Sequence, residues 1–391
     1  MQSTESRPQS QTQAALPVRA ALVPEAGADF ELRQLSLDTD LQPEEVLVRV
    51  VATGICQTDL HARGGDMGTS FPAVFGHEGA GVVERVGSAV DGINPGDHVV
   101  MSYTYCGTCG PCRAGRHSYC VHHVDLNFGG ARPDGSNALY EGETEIHGHF
   151  FGQSSFSTHA IASQRNLVVV DRELDLEQLA PLGCGMQTGA GAVLNSLRVP
   201  AGASIAVFGT GGVGLAAVMA AAAAGASTIV AVDLVPERLE LALELGATNV
   251  IDVRGGDLLG KLRELVPEGL DYIVEVTGRP EMLNIAVDAL APLGTAGLVG
   301  GSPLGTTAPI QMNTLLGGRS VMGIAQGDSI PQVFLPRLIE LQRRGRFPFE
   351  RLVRFYEFDE INEAIADMQS GKTIKPVLRM PPLPHDPTTE D

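Results

Sequence analysis

Residues 203–233 decide the fold, and they read ASIAVF-GTGGVG-LAAVMAAAAAGAS-TIVAVD. An apolar run at 203–208 predicts a buried strand, a G-x-G-x-x-G turn follows, and 215–224 predict an alanine-rich helix before a second strand. Glycines permit the sharp turn and let the backbone approach a pyrophosphate, while the helix N-terminus presents free N–H groups to it. A plain glycine-rich turn would not have all of these parts in register. The stretch predicts a dinucleotide site.

The second strand ends at Asp233, nineteen residues after the last glycine of the turn. A carboxylate at this place accepts hydrogen bonds from ribose hydroxyls and repels a 2′-phosphate, which favours NAD over NADP. Arg238 tempers that preference if it reaches the ribose, and is otherwise an exposed arginine on the next helix. The predicted cofactor-binding residues of the turn are Gly209, Gly211, Gly212, Val213 and Gly214.

The same alternation continues at 271–276, 282–290 and 295–300, which predicts an α/β fold with a doubly wound parallel sheet. Residues before 186 are instead glycine-rich, with short strand-like runs and few helical patterns, which predicts a mostly β domain. We therefore divide the chain into a disordered tail (1–16), a mostly β domain (17–185), a nucleotide domain (186–325), a return to the mostly β domain (326–380) and a second disordered tail (381–391).

Four cysteines form a C-x2-C-x2-C-x7-C run at Cys106, Cys109, Cys112 and Cys120. Four thiolates at this spacing are typical of a closed, tetrahedral, structural zinc site. Three disulfides would need an oxidising compartment, and no apolar signal segment begins the sequence. The spacing also differs from those of ferredoxin iron–sulfur runs. We predict a structural zinc lobe at about 106–120.

Composition excludes several classes of partner. The 391 residues carry 27 basic and 46 acidic side chains, a net charge of −19, without a block of Lys and Arg that would follow a nucleic-acid backbone. The apolar stretch near 215–225 is too short to cross a bilayer. We expect a cytoplasmic protein that binds a small molecule, with no nucleic-acid or membrane partner.

Several segments together resemble the zinc-dependent medium-chain alcohol dehydrogenases. They are GICQTDLH at 54–61, GHEGAGVVERVG at 76–87, the four-cysteine lobe, PLGCGMQTG at 181–189 and GTGGVG at 209–214. The likeness covers nearly all of 17–380. Within that family, the sequence most resembles the aryl-alcohol (benzyl alcohol) dehydrogenases. Three stretches carry this narrower resemblance: DLNFGGARPDG, HGHFFGQSSFSTHA and AQGDSIPQVFLP. The resemblance implies a Rossmann cofactor domain joined to a GroES-like catalytic domain.

The resemblance also assigns a second zinc ion, which is catalytic. Cys56, His77 and Cys184 would hold it and leave a fourth position open for chemistry. Asp59 would orient His77 through its other ring nitrogen, and Glu78 would lie close behind the metal. For these two acids a solvated loop position is the alternative.

Further roles carry over from the resemblance to matching positions. Thr58 would contact the bound alcohol, and His61 would pass its proton onward, although a surface histidine without a role is the alternative. Three residues would contact the cofactor: Thr188, Gln57 and Lys375. Gln57 stands where relatives often have a basic residue. The substrate pocket would be lined by Met67, Ser102, Phe150, Phe151 and Ala325, with Ser102 and Ala325 leaving room for a ring.

These assignments imply an NAD- and zinc-dependent enzyme that interconverts primary alcohols, aromatic or allylic ones above all, and aldehydes. Hydride would pass from a zinc-bound alkoxide to the nicotinamide. A thiol-dependent formaldehyde dehydrogenase of the same family is the alternative, and a non-catalytic nucleotide-binding protein on this fold is an alternative of another class. A homodimer or homotetramer is expected, paired through an edge strand near 318–325.

Overall fold

The computed structural model describes residues 15–382. The predicted tails lie largely outside this range. Leu16, the last residue of the first predicted tail, begins the first strand by pairing with Leu37. Within residues 15–382, no helix combines the length and the apolar character needed to cross a membrane.

Residues before 186, together with two strands from the end of the chain, form two sheets, as the mostly β prediction requires. A five-stranded antiparallel sheet has the order β4-β1-β2-β7-β8, from β1 (Leu16–Val23), β2 (Glu31–Leu37), β4 (Ala73–Val74), β7 (Leu139–Glu141) and β8 (Thr144–Ile146). A seven-stranded sheet has the order β10-β6-β5-β3-β18-β17, with β9 also on β3, from β3 (Glu45–Gly54), β5 (Glu78–Val86), β6 (His98–Met101), β9 (His159–Ser163), β10 (Leu167–Val170), β17 (Val353–Glu357) and β18 (Lys375–Arg379).

The nucleotide half contains a six-stranded parallel sheet. Its order is β13-β12-β11-β14-β15-β16, from β11 (Ser204–Phe208), β12 (Thr228–Asp233), β13 (Asn249–Asp252), β14 (Leu270–Glu275), β15 (Leu290–Leu298) and β16 (Ser320–Gly323). Counted from its first strand, this is the 3-2-1-4-5-6 order of a doubly wound dinucleotide fold, so the predicted fold class is confirmed. The switch of direction beside β11 creates the crevice in which a dinucleotide binds.

Twelve α-helices cover these sheets. They are α1 (Gln57–Arg63), α2 (Gly110–Arg113), α3 (His123–Phe128), α4 (Leu176–Leu179), α5 (Gly185–Gly191), α6 (Gly212–Ala224), α7 (Pro236–Glu244), α8 (Leu258–Leu265), α9 (Pro280–Ala289), α10 (Met312–Leu315), α11 (Pro331–Arg343) and α12 (Ile361–Gln369) among the described residues. Helix α6 is buried along most of its length because its alanines let it pack closely.

The end of the chain returns to the catalytic half. Strand β18 pairs antiparallel with β3, where Val377 lies opposite Gly54, and β17 pairs parallel with β18. Helix α11 packs into the largest hydrophobic cluster, which it shares with α5 and α6. The two halves are therefore joined by one core, and domain boundaries at 186 and 325 stay predictions.

Candidate active site

The glycines of the nucleotide turn are required by backbone conformation or by the space around them. Gly209 has φ +92°, a left-handed conformation that favours glycine. A Cβ on Gly214 would lie 1.8 Å from the carbonyl oxygen of Gly209, whereas a Cβ on Gly211 would meet no protein atom within 4 Å. Helix α6 starts at this turn without a side-chain cap. Its first N–H groups and the open space at Gly211 fit a pyrophosphate.

Asp233 is held more tightly than the sequence indicated. Its Oδ2 accepts hydrogen bonds from the N–H and hydroxyl of Thr210, at 2.6 and 2.8 Å, and its Oδ1 accepts from the N–H groups of Leu234 and Val235, at 2.7 and 3.0 Å. A carboxylate has about four acceptor positions. A ribose hydroxyl would have to replace one of these donors to bind Asp233, and the hydroxyl of Thr210 is the one that can rotate away; the contact of Asp233 with the ribose stays a prediction.

Three other residues predicted to contact the cofactor are Gln57, Thr188 and Arg238. Gln57 is exposed at the start of α1, and Thr188 donates its hydroxyl to Oε1 of Gln326 over 3.4 Å. Arg238 is half-buried, with its guanidinium against Gly371 in the turn before β18. Its contact with the ribose stays a prediction.

Three remote segments bring their sulfur and nitrogen donors to one point. Cys56 lies at the N-terminus of α1, His77 immediately precedes β5, and Cys184 lies at the N-terminus of α5. One ligand atom from each, and one from Glu78, lie within 4.8 Å of one another. Cys184, His77 and Glu78 are buried. The structure thus assembles the donor set that the resemblance implied.

Asp59 fixes the geometry of two of these donors. Its Oδ1 lies 2.8 Å from Nδ1 of His77 and accepts the N–H of Gly76 at 3.1 Å, while its Oδ2 accepts the N–H of Cys56 at 2.9 Å. With Nδ1 directed at a carboxylate, Nε2 of His77 becomes the metal-facing atom. Asp59 is fully buried, so a solvated position is excluded for it.

The electrostatics of the cluster favour a cation. A hydrogen bond from Cys184, opposed by burial and helped by Lys375, holds the pKa of the Cys56 thiol well below its usual value. The same hydrogen bond, together with burial, raises the pKa of Cys184 well above its usual value. Burial alone would lower the pKa of His77, but Asp59 and the Cys56 thiolate outweigh it and raise the pKa to about 10. In the absence of a metal, Cys184 and His77 therefore keep their protons. A metal ion that binds these ligands would displace those protons.

Lys375 is placed differently from its predicted contact with a cofactor phosphate. Its ammonium donates to both carboxylate oxygens of Glu78, each at 2.9 Å, and to the carbonyl of Ile55 at 3.1 Å. An ammonium has three donors, so none is left for a phosphate. The side chain is only 4% exposed and lies behind Gly212, so it supports the nucleotide turn from inside.

Glu78 is the partner that Lys375 requires. Its Oε1 also accepts the N–H of Gly185 at 3.0 Å, which ties it to the helix that follows Cys184. Burial raises the pKa of Glu78 to about 7, with Lys375 opposing that rise. Breaking a buried pair of this kind costs about 3–5 kcal/mol because one charge is left uncompensated. Glu78 is a buried acid behind the donors and not a solvated one.

These residues fit a zinc ion. Nε2 of His77 is buried and has no hydrogen-bond partner in the described structure, which is otherwise costly for a polar atom. Two thiols and one imidazole are the ligands of a zinc site that keeps a position open. The donor chemistry and the orphaned nitrogen together point to a catalytic metal.

The four-cysteine lobe fits a second, closed zinc site. Sγ of Cys106 lies 3.9 Å from that of Cys112, and Sγ of Cys109 lies 4.0 Å from that of Cys120. Thiolates at about 2.3 Å from zinc in a tetrahedron are about 3.8 Å apart. Backbone N–H groups of Thr108 and Cys109 donate to Sγ of Cys106, each at 3.4 Å, as expected for a thiolate.

Known families match both halves of the chain. Residues 42–172 match the alcohol dehydrogenase GroES-like domain, and residues 212–341 match the zinc-binding dehydrogenase family. Geraniol dehydrogenase of Castellaniella defragrans is 42% identical over 370 residues, which is 94% of this chain and 99% of that protein. The chain belongs to the zinc-dependent medium-chain alcohol dehydrogenases.

Solved structures of relatives superpose closely on this alcohol dehydrogenase. A zinc-binding-domain alcohol dehydrogenase protein from Burkholderia ambifaria is 51% identical with a TM-score of 0.92, and benzyl alcohol dehydrogenase from Acinetobacter calcoaceticus is 46% identical with a TM-score of 0.91. Each match covers 94% of this chain and 100% of the other. The dehydrogenase interconverts primary alcohols and aldehydes and uses NAD and zinc.

The two predicted relay residues lie on α1 of the dehydrogenase. Oγ1 of Thr58 is 3.8 Å from Sγ of Cys56, so its hydroxyl borders the donor set. Three residues later, Nδ1 of His61 lies 3.4 Å from Oδ2 of Asp66, and the side chain of His61 is 47% exposed. Residues three apart share a helix face, so the half-buried hydroxyl of Thr58 and the partly exposed imidazole of His61 lie on the same face of α1.

Sequence reasoning missed Gln153, whose side chain links the segment that carries the ligand His77 to the segment that carries Ser102. Its Nε2 donates to the carbonyls of His77 and Ser102, at 3.0 and 3.1 Å, and its Oε1 accepts the N–H of Gly79 at 3.1 Å. Gln153 is 2% exposed. No motif identifies a lone glutamine from a distant loop, and only the folded chain shows that it fixes the peptide of a metal ligand.

Ser102 does not line an open substrate pocket, which corrects the sequence-based expectation. Its hydroxyl donates to the carbonyl of Gly183 at 2.8 Å and accepts a hydrogen bond from Nε2 of Gln187 at 2.7 Å, and its side chain is fully buried. Gly183 precedes the ligand Cys184. The hydroxyl therefore secures the peptide segment that carries a metal ligand.

The two phenylalanines of the predicted pocket pack in different ways. Phe151 stacks on His77, with ring centroids 4.5 Å apart at 26°. It has φ +53°, a strained conformation that brings the ring onto the ligand. Phe150 is a fully buried core residue, edge-on to Phe75 at 5.1 Å and to His77 at 5.7 Å. Met67 and Ala325 are half-buried, so their place in a pocket stays a prediction.

Proposed function

We propose that this dehydrogenase oxidises aromatic and allylic primary alcohols to aldehydes with NAD, and catalyses the reverse reduction. The donor set of Cys56, His77 and Cys184 is the observation that carries the proposal, because two thiols and one imidazole form a zinc site that keeps a position open for an alcohol oxygen. Relatives named for geraniol and benzyl alcohol, at 42% and 46% identity, support the same substrate class.

The residues of the chain divide the chemical work. Zinc, when held by Cys56, His77 and Cys184, supplies the Lewis acidity that lowers the pKa of a hydroxyl, and NAD supplies the hydride acceptor. Asp59 keeps Nε2 of His77 directed at the metal position. Phe151 shields His77 from water, which strengthens electrostatic interactions at that point.

Thr58 and His61 are proposed to move the proton that leaves the alcohol. The Thr58 hydroxyl borders the donor set and can accept a hydrogen bond from a bound hydroxyl while donating its own. The half-exposed ring of His61 can release a proton to solvent, with Asp66 beside its Nδ1.

Replacing His61 with alanine tests the relay. We expect kcat/KM for alcohol oxidation to fall by on the order of 100-fold at pH 6, and by much less at pH 9, where hydroxide and buffer bases accept the proton directly. Initial rates over that pH range, with Arg63→Ala on the same helix as a control, measure the effect. A loss of equal size at all pH values would instead indicate a structural role for His61.

A substrate panel tests the proposed function. Benzyl alcohol, cinnamyl alcohol and geraniol are expected to exceed ethanol in kcat/KM by roughly 100-fold, since burying a side group of this size contributes about 3 kcal/mol. NADP should replace NAD poorly. An enzyme that prefers ethanol, or that acts best on formaldehyde plus a low-molecular-weight thiol, would contradict the proposal.

Activity that is highest on formaldehyde plus a thiol would favour the S-(hydroxymethyl)glutathione dehydrogenases. One of these, from Synechocystis, is 36% identical over 370 residues, which is 92% of this chain and 99% of that protein.

We also propose that the enzyme is a homodimer paired through β16, with a homotetramer as a further assembly. β16 is an edge strand of the parallel sheet. In β15 and in the segment that leads from it to β16, four large apolar side chains are 80–100% exposed: Leu293, Leu304, Met312 and Leu316. Exposed apolar groups of this size favour association. Sedimentation equilibrium of the full chain distinguishes the monomer, dimer and tetramer.

We propose a cytoplasmic location because the cysteines are free thiols. All six are free thiols grouped into two metal-type clusters. Reducing compartments preserve such thiols, whereas oxidising ones favour disulfides.

A further inference from the structure

A cavity of about 420 Å³ lies outside the catalytic and nucleotide sites. It is bordered by the zinc lobe around Arg116, by the segment from Leu194 to Arg198 that follows α5, and by the first turns of α11. None of the metal ligands or nucleotide-turn glycines lines it. Its polar side chains are therefore not explained by the dehydrogenase reaction.

Three exposed arginines line this cavity: Arg116, Arg198 and Arg337. None of them forms an ion pair with a carboxylate among residues 15–382, whereas Arg344 on the same helix pairs with Glu340. In a chain of net charge −19, three unpaired cations around one cavity produce a local positive potential. Such a group of arginines is suited to the oxygens of a phosphate or carboxylate.

Arg198 occupies its place in a strained conformation. Its φ is +51°, which costs an L-residue about 1–2 kcal/mol and which glycine adopts freely. Its Nε donates to the carbonyl of Asn195 at 3.2 Å, which orients the guanidinium and leaves its terminal nitrogens free in the described structure. A strained residue with an oriented, unpaired charge at a cavity is typical of a binding site.

Asp328 adds a carboxylate to the same cavity. Its Oδ1 is buried and has no hydrogen-bond partner within the described residues. An ionised carboxylate only accepts hydrogen bonds, so it repels an anion without a proton and binds one that carries an acidic O–H. At neutral pH a phosphate group keeps such a proton part of the time, because its second pKa is about 6, whereas sulfate does not.

We propose that this cavity binds a phosphate group, either inorganic phosphate or the phosphate of a small monoester. The arginines bind its unprotonated oxygens, and Asp328 accepts the hydrogen bond of its remaining O–H. The volume of about 420 Å³ exceeds that of one phosphate ion, which leaves space for the organic part of an ester. The site connects the zinc lobe with α11.

Calorimetric titration of the zinc-loaded, full-length enzyme tests this site. Saturating NADH is present so that the dinucleotide crevice is filled, and the probes are inorganic phosphate, sulfate and glycerol phosphate at pH 7 and constant ionic strength. We expect one phosphate-containing probe to bind per chain, with sulfate at least about tenfold weaker. Tighter binding of glycerol phosphate would identify a monoester as the ligand, and tighter binding of phosphate would identify the free ion.

Substitutions then locate the site. Arg116→Ala and Arg337→Ala should each weaken phosphate binding by about tenfold or more, and Arg343→Ala, an exposed position on α11 outside the cavity, should not. Asp328→Asn should bring sulfate to the affinity of phosphate. Equal binding of sulfate and phosphate to the wild-type enzyme, no binding of either phosphate probe, or unchanged affinity in both arginine variants would overturn the proposal.

Discussion

Replacing Cys56 with alanine is expected to lower kcat/KM for benzyl alcohol by at least about 10,000-fold, because Lewis-acid catalysis supplies several kcal/mol that two remaining donors would not retain. Its thiolate is the ligand that Asp59 positions through the backbone N–H. NADH binding, followed by its fluorescence, should persist, since the nucleotide turn is built on separate residues. Steady-state kinetics and NADH titration measure the two effects.

A matched variant makes that result specific. Arg63→Ala changes the last residue of the same helix, where the side chain contacts the exposed Asp29 at 3.5 Å, and should leave turnover close to that of the wild type. Turnover of Cys56→Ala within tenfold of the wild type would show that Cys56 is not a ligand of the catalytic metal.

Replacing Cys112 with serine is expected to release the structural zinc and to lower Tm by about 5–10 °C, because losing a structural metal costs several kcal/mol. Cys112 is 5% exposed, and Tyr119 of the same lobe donates a hydrogen bond to the carbonyl of Gly323 in β16 at 3.2 Å. Loosening the lobe therefore weakens its contact with the parallel sheet. Differential scanning calorimetry with zinc analysis measures both changes.

The control for this prediction is in the lobe itself. Thr108→Ala removes an exposed hydroxyl 3.6 Å from Sγ of Cys106 without removing a thiolate, and should change Tm by less than about 2 °C. A Cys112→Ser protein that keeps both its zinc content and its Tm would show that the four cysteines do not form a metal site.

The parallel sheet followed from the sequence because its signals are local. The strand, turn, helix and second strand at 203–233 are contiguous, and the structure places them in β11, α6 and β12. The four-cysteine lobe is local too. Contiguous patterns depend on backbone conformation and spacing alone, which a single chain displays directly.

The catalytic donors were of another kind, because Cys56, His77 and Cys184 are far apart in sequence and only the family resemblance joined them. The hydrogen bonds that fix them depend on side-chain directions in the folded chain. Gln153 was missed and Ser102 was misplaced for this reason. The ammonium of Lys375 likewise faces Glu78 because a buried carboxylate needs a partner more than a solvated phosphate does.

The most direct test of the two-metal account is the zinc content of the purified, dialysed full-length enzyme, measured by mass spectrometry beside Cys56→Ala. We expect two zinc ions per wild-type chain and one per variant chain, with alcohol oxidation tracking the ion that the variant lacks. A single zinc in the active wild-type enzyme, or two in the inactive variant, would contradict a catalytic zinc held by Cys56, His77 and Cys184.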